Sequence, residues 1–154
     1  MRVTFICSCI ALLCLIYLYG NDAYTTETVC QRELRLVRQN PKPGARKPNC
    51  DSDGNYAPKQ CSGSVCYCVK KDGSQISEYT SHIGDSAQQT CKCARDSDEF
   101  LSSGMVGKLF SCQSDGSYDP VQCYFGPMCF CVDEDGKTTG TDTVPYSQKN
   151  KMNC

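Results

Sequence analysis

The apolar positions fall into one long block and many short patterns. Phe5 to Tyr19 is an apolar run broken only by Ser8 and preceded by Arg2. It spans about 15 residues, fewer than the roughly 20 that cross a bilayer, and small residues follow at Gly20 and Ala23. Residues 1–20 therefore read as a secretory signal peptide, with cleavage as late as residue 23, and the chain is expected to be secreted and extracellular. Beyond it, Leu34 and Val37 lie among good helix formers from Gln31 to Gln39, and Pro41 stops the run; a short helix is predicted. Asp96 predicts the cap of a shorter helix that reaches Leu101 before Gly104. Asp53-Gly54 and Asp115-Gly116 are turn dipeptides, each followed by alternation ending in Gln-Cys. Cys66-Tyr67-Cys68-Val69 and Cys129-Phe130-Cys131-Val132 predict a second short strand in each half. The two cysteines of each Cys-x-Cys share one face of the strand, so Tyr67 and Phe130 face the other. These aromatics are expected to anchor two small cores.

Composition turns these patterns into two domains. The chain has 154 residues and 15 cysteines. Cys7, Cys9 and Cys14 lie in the expected signal, which leaves twelve, an even number suited to disulfides in an exported protein. Their successive gaps are 20, 11, 5, 2 and 23 from Cys30 to Cys91, then 19, 11, 6, 2 and 23 from Cys93 to Cys154. The intervening residues repeat too. Ser52-Asp53-Gly54-Asn55-Tyr56-Ala57-Pro58 matches Ser114-Asp115-Gly116-Ser117-Tyr118-Asp119-Pro120, and Lys71-Asp72-Gly73 matches Glu134-Asp135-Gly136. The expected units are residues 30–91 and 93–154, each a short helix with a small antiparallel sheet and long loops. The fold class is small, disulfide-rich α+β. Only Lys92 separates the units, which limits their relative movement.

Charge sharpens the division. Residues 30–91 hold nine Lys and Arg against six Asp and Glu, a balance of +3, and residues 92–154 hold six against nine, a balance of −3. The near-neutral whole, without a basic stretch, argues against nucleic acid, and no later apolar run suggests a membrane. His82 is the single histidine, set among Ser, Thr and Gln, and Glu134-Asp135 lies in a predicted turn. Neither makes a catalytic constellation, so no enzyme is expected. The Cys-x-Cys spacing suits disulfides better than zinc, and Asp51-Ser52-Asp53-Gly54 lacks the length and terminal Glu of a calcium loop. No metal or cofactor is expected.

Both units resemble thyroglobulin type-1 domains. The resemblance rests on Pro48-Asn49-Cys50, Gly54-Asn55-Tyr56-Ala57-Pro58, Gln60-Cys61 and Cys66-Tyr67-Cys68-Val69. In unit two it rests on Gly116-Ser117-Tyr118-Asp119-Pro120, Gln122-Cys123 and Cys129-Phe130-Cys131-Val132-Asp133 with Gly136. The family's Trp is replaced by Tyr67 and Phe130, Phe110 stands where unit one has Pro48, and unit one lacks a counterpart of Gly140. The resemblance implies the pairing Cys30–Cys50, Cys61–Cys66 and Cys68–Cys91, then Cys93–Cys112, Cys123–Cys129 and Cys131–Cys154.

It also implies a function. Several family members, the thyropins, inhibit papain-like cysteine proteases by wedging three loops into the cleft. Asn40 to Pro48 would supply the first loop of unit one. Its Pro43-Gly44-Ala45 step resembles that of a family member that binds cathepsin L, and Pro43, Gly44, Ala45 and Arg46 are the expected contacts. Proline stiffness and small residues suit a narrow cleft, and they equally suit a plain surface turn. In unit two, Gly104-Met105-Val106 would offer apolar side chains to subsites or to a minor core. The second loops are Ser62–Val65 and Tyr124–Met128, with Tyr124 and Phe125 as anchors. The third lie around Ile76–Thr80 and Thr138–Thr143. The expected partner is a protein, a cysteine protease or alternatively an aspartic protease, engaged by a monomer. A signal followed by two such domains and nothing else favours free inhibition. The alternatives are a non-inhibitory extracellular module that binds growth factor or matrix, or a venom or salivary effector of the same fold.

Overall fold

The computed structural model describes residues 26–123 and 127–154. The expected signal segment, Tyr124 and Phe125 lie outside the described residues. The first unit holds helix α1 (Val29–Gln39) and strands β1 (Lys59–Ser62), β2 (Val65–Val69) and β3 (Gln75–His82), then a 3-10 turn at Ile83–Gln88. The second holds α2 (Lys92–Ser102), β4 (Val121–Cys123), β5 (Met128–Val132) and β6 (Thr138–Pro145), then a 3-10 turn at Tyr146–Lys151. Each sheet is antiparallel with its strands in chain order.

Both helices start earlier than the sequence pattern suggests. Thr28 caps α1: its hydroxyl accepts from the Gln31 amide at 3.2 Å, and Gln31 Oε1 accepts from the Thr28 amide at 3.1 Å. This reciprocal pair satisfies two amides that a helix start leaves open. Helix α2 begins at Lys92, and Asp96 is not its cap. Cys91 holds the cap position in a left-handed conformation, φ 60°. Asp96 lies inside the helix, where its carboxylate accepts from the Tyr118 hydroxyl at 2.5 Å. Glu33 and Tyr56 make the corresponding bond in unit one.

Disulfides carry much of the stability of units this small. They join Cys30–Cys50, Cys61–Cys66, Cys68–Cys91, Cys93–Cys112, Cys123–Cys129 and Cys131–Cys154. Closing a loop of about 20 residues stabilises by roughly 3 kcal/mol in the chain-entropy account. The apolar cores are correspondingly slight. Cys30, Tyr56 and Val69 form one; Cys93, Tyr118, Phe130 and Val132 form the other. Phe130 anchors its core as the strand pattern predicts. Tyr67 does not: it is only half-buried, and its hydroxyl accepts from Arg46 Nη1 at 3.0 Å, which holds that end of the ring at the surface. Tyr56 and Tyr118 fill the centres instead. An added Cβ at Gly73 or Gly136 would overlap these rings, and both glycines have positive φ. Glycine is required there twice over.

The Gln before each third cysteine is a buried structural polar group. Gln60 Nε2 donates to the carbonyls of Asn49 at 2.7 Å and Ala57 at 2.9 Å, and its Oε1 accepts from the Asn49 amide at 2.9 Å. Gln122 repeats the pattern with Ser111 and Asp119 at 2.7 to 3.0 Å. One side chain thus satisfies backbone groups of a loop whose only regular pairing is a single bridge, Cys50 with Tyr56 or Cys112 with Tyr118.

A second set of buried bonds joins the units. Arg95 on α2 is 6% exposed. It donates from Nε at 2.9 Å and Nη2 at 2.6 Å to the Val69 carbonyl, and from Nη2 at 2.7 Å to the Tyr56 carbonyl. Lys70–Asp98 at 2.9 Å and Lys71–Glu99 at 3.1 Å flank it. Ala94 packs with Cys68 and Cys91, against which Ile76 and Tyr79 of β3 also rest. Gln89 Nε2 donates to the Asp115 carbonyl at 2.8 Å, and the Thr90 amide donates to the Ser117 hydroxyl at 2.9 Å.

Two outcomes follow from these bonds. Gln60→Leu keeps the volume but strands the Asn49 amide and the Ala57 carbonyl, and should lower stability by about 2–3 kcal/mol in denaturant unfolding of the oxidised protein. Arg95→Ala should cost about 2 kcal/mol and let the units move, broadening the small-angle scattering distance distribution; Arg95→Lys should not restore it, lacking the fork that reaches both carbonyls.

Candidate functional site

The expected contact loops have distinct environments. In unit one, α1 ends at Gln39 with Asn40 as its cap and Pro41 beyond, and Pro43-Gly44 form a tight turn closed by the Ala45 amide donating to the Lys42 carbonyl at 3.0 Å. Gly44 has φ 75° with open space around it. Pro43, Gly44 and Ala45 are exposed, while Pro48 at the end of the loop is buried.

Arg46 differs from these neighbours: it is a brace. Its guanidinium donates to the Tyr67 hydroxyl at 3.0 Å, pairs with Glu33 at 3.0 Å and lies 5.9 Å from the centre of the Tyr56 ring. Loop, helix and sheet are tied together by that one side chain. Partial burial works to raise the Glu33 carboxyl, but the Tyr56 hydroxyl and Arg46 outweigh it and hold the group below its ordinary value of 4.5. The Glu33 bond, with burial, raises the Tyr56 hydroxyl in turn.

Unit two builds its first loop from apolar residues. Gly104 and Gly107, at φ 72° and 98°, bracket Met105 and Val106. Val106 is 92% exposed, Leu101 70% and Leu109 61%. With Phe100 and Lys108 these residues line an open groove of about 460 Å³. They are not core. Phe110 takes the position of Pro48 and anchors the loop from below: its ring meets Phe100 at 5.7 Å and Tyr118 at 6.5 Å, and Lys108 Nζ lies 4.3 Å from its centre.

The remaining loops are not all brought together. Ser62 to Val65 is the β1–β2 hairpin turn, exposed, with Ile83 donating to the Ser64 carbonyl at 2.8 Å. The segments around Ile76–Thr80 and Thr138–Thr143 are not tail loops but belong to β3 and β6, where each strand bulges as it pairs with β2 or β5. In unit one this bulge rests beside α2, so Ile76 and Tyr79 are committed to the joint between units. In unit two Thr138 to Thr143 are exposed. His82 is exposed and its Nδ1 accepts from the Gly84 amide at 3.2 Å. Asp51 Oδ1 accepts from the amides of Asp53 and Asn55, which makes it a turn residue. Sequence reasoning placed Leu109 at the end of this loop, Ser102 to Leu109, without a contact role, and missed the exposed Leu101; apolar residues flanking Gly104 and Gly107 were the available signal.

A helix against a three-stranded sheet, three sequential disulfides and a buried Gln define a small cross-linked recognition module, present twice. Residues 26–93 and 93–154 each match the thyroglobulin type-1 repeat, and the chain belongs to that family. Its members are inhibitory or binding modules, and this chain is not an enzyme. It is 32% identical to equistatin of Actinia equina over 123 residues, 71% of this chain and 50% of that protein. It is 30% identical to U20-hexatoxin-Hi1a of Hadronyche infensa over 116 residues, 70% of this chain and 76% of the toxin. Thyroglobulin of Sus scrofa is 30% identical over 111 residues, 66% of this chain and 4% of that protein. The chain thus spans half or less of the length of equistatin and thyroglobulin.

The Glu33 anchor is pH-sensitive in a defined direction. A depressed folded pKa contributes stability that is complete above 4.5 and is lost as pH falls through the lower folded value. Glu33→Gln should flatten the acid limb of the thermal stability profile below about pH 4.5, while leaving neutral pH dependence unchanged.

Proposed function

We propose that this chain is a secreted inhibitor that occupies the cleft of papain-like cysteine proteases of the cathepsin L type. The observation that carries the reading is the pair of first loops. Each is exposed at its tip and fixed at its base, by Arg46 in unit one and by Phe110 in unit two. A loop ordered before docking loses little entropy when it docks. Pro43, Gly44 and Ala45 supply a small, stiff tip for a narrow cleft. Gly104, Met105 and Val106, with Leu101 beside them, supply apolar side chains for subsites. Arg46 shapes the loop rather than touching the enzyme. Tyr124 and Phe125 complete the second loop of unit two in this proposal.

The relationship to a hexatoxin supports secretion as well. Residues 1–20 are proposed as the signal, and the working units as residues 30–91 and 93–154. An extracellular module that binds a non-protease partner is the second reading, favoured by the apolar groove at Leu101–Leu109, which suits many protein surfaces.

The oxidised chain should inhibit a papain-like enzyme in a titration against cysteine, aspartic and serine proteases. Ala45→Trp and Met105→Asp should each weaken inhibition at least about tenfold for whichever unit engages, with unchanged thermal unfolding. No inhibition of any papain-like enzyme at micromolar concentration would sink the proposal.

A further inference from the structure

The first loops of the two units differ at their basic residues. In unit one Lys42 precedes Pro43 and Lys47 precedes Pro48. A proline in that place blocks cleavage by trypsin-like serine proteases, because its ring fixes the backbone and crowds the space beyond the bond. Arg46, between the two lysines, is held by Glu33 and Tyr67. In unit two the loop has one basic residue, Lys108, and Leu109 follows it. Both are exposed, as is every residue from Leu101 onward to them. Among the described residues, no main-chain hydrogen bond reaches Val106, Gly107, Lys108, Leu109 or Phe110. Met105 has a single one, from its amide to Ser103 Oγ at 3.4 Å. The contact of Lys108 Nζ with the Phe110 ring is one that an exposed cation gives up readily. Apart from the three of the unit one loop, the other described lysines and arginines lie in a helix, a strand, a hairpin turn or a 3-10 turn. Exposed loop tips of this kind are where proteases nick folded chains.

We infer that Lys108–Leu109 is a processing site for a trypsin-like serine protease, and that the cut chain stays together through Cys93–Cys112. Lys108 supplies the cation that the carboxylate in such an enzyme's specificity pocket binds. The enzyme's serine takes the Lys108 carbonyl carbon and the Leu109 nitrogen leaves as an amine; water then releases Lys108 as a carboxylate. Gly107, at φ 98°, makes the loop a substrate of that enzyme rather than its inhibitor. The segment must straighten to dock, which glycine allows, and after the cut no main-chain bond holds the Lys108 end in place for resealing. Among the described disulfides, Cys93–Cys112 alone spans the bond. Phe110 keeps its seat against Phe100 and Tyr118 on the far side of the cut. The cut severs the loop assigned above to protease contact, but it needs only the exposure of the bond and does not rest on that assignment.

The test gives the full oxidised chain a small amount of trypsin and follows the mass before and after reduction. The first product should be one water heavier before reduction. After reduction it should separate into one chain ending at Lys108 and one beginning at Leu109. This cut should be at least about tenfold faster than any other. Lys108→Gln should slow it at least about tenfold by removing the cation, and Leu109→Pro should do the same by giving unit two the Lys-Pro pattern of unit one. A first cut elsewhere, or equally fast loss of intact chain in Lys108→Gln, overturns the inference. So does an oxidised chain left uncut under conditions that digest its reduced form, or inhibition of trypsin without turnover.

Discussion

The disulfide Cys68–Cys91 ends one domain at the residue where the next begins. Cys91 turns through a left-handed conformation and is at once the cap of α2. With Lys92 alone between it and Cys93, the helix has little freedom in where to go. It is delivered against β2 and β3, and Arg95 meets the Val69 carbonyl on β2 and the Tyr56 carbonyl outside the sheet. Gly116 closes the same joint: an added Cβ there would stand 3.1 Å from Ala94 and overlap the Cys68 sulfur, so the turn of unit two approaches as only glycine allows. Two small cores, neither large, are thereby made to share one covalent and hydrogen-bonded seam.

This seam makes the duplicated units unequal. The β3 bulge of unit one is spent on the joint, whereas the β6 bulge of unit two is exposed. Unit one presents a proline-rich turn braced by an ion pair. Unit two presents methionine, valine and leucine above an aromatic stack. The scaffold is shared and the exposed chemistry is not.

Much of the architecture was legible because cysteine spacing and turn dipeptides report on local geometry. The helices, the hairpin strands and the duplication follow from such signals. The starts of the helices were not, since Thr28 acts through Gln31 and a cystine at Cys91 is not a recognised cap. Tyr56 and Tyr118 were read as motif residues, although Glu33 and Asp96 recruit them into the cores through bonds that span more than 20 residues. Arg46 was placed among the contacts because its loop resembles that of a family member that binds cathepsin L. Only the folded sheet brings Tyr67 and Glu33 to it. Arg95 carries no local signal at all, since its identical counterpart Arg32 is exposed. What distinguishes the two is a neighbouring domain.

The acceptors for Arg95 are main-chain oxygens. Any side chain at positions 56 and 69 that preserves the backbone would offer the same two groups. The joint therefore constrains its two sides very differently during divergence: the donor is tied to one amino acid, while the receiving side is written in the fold itself. In the second unit the equivalent carbonyl, that of Tyr118, accepts from Gln113 Nε2 at 3.1 Å, so there the same group is met from within its own domain.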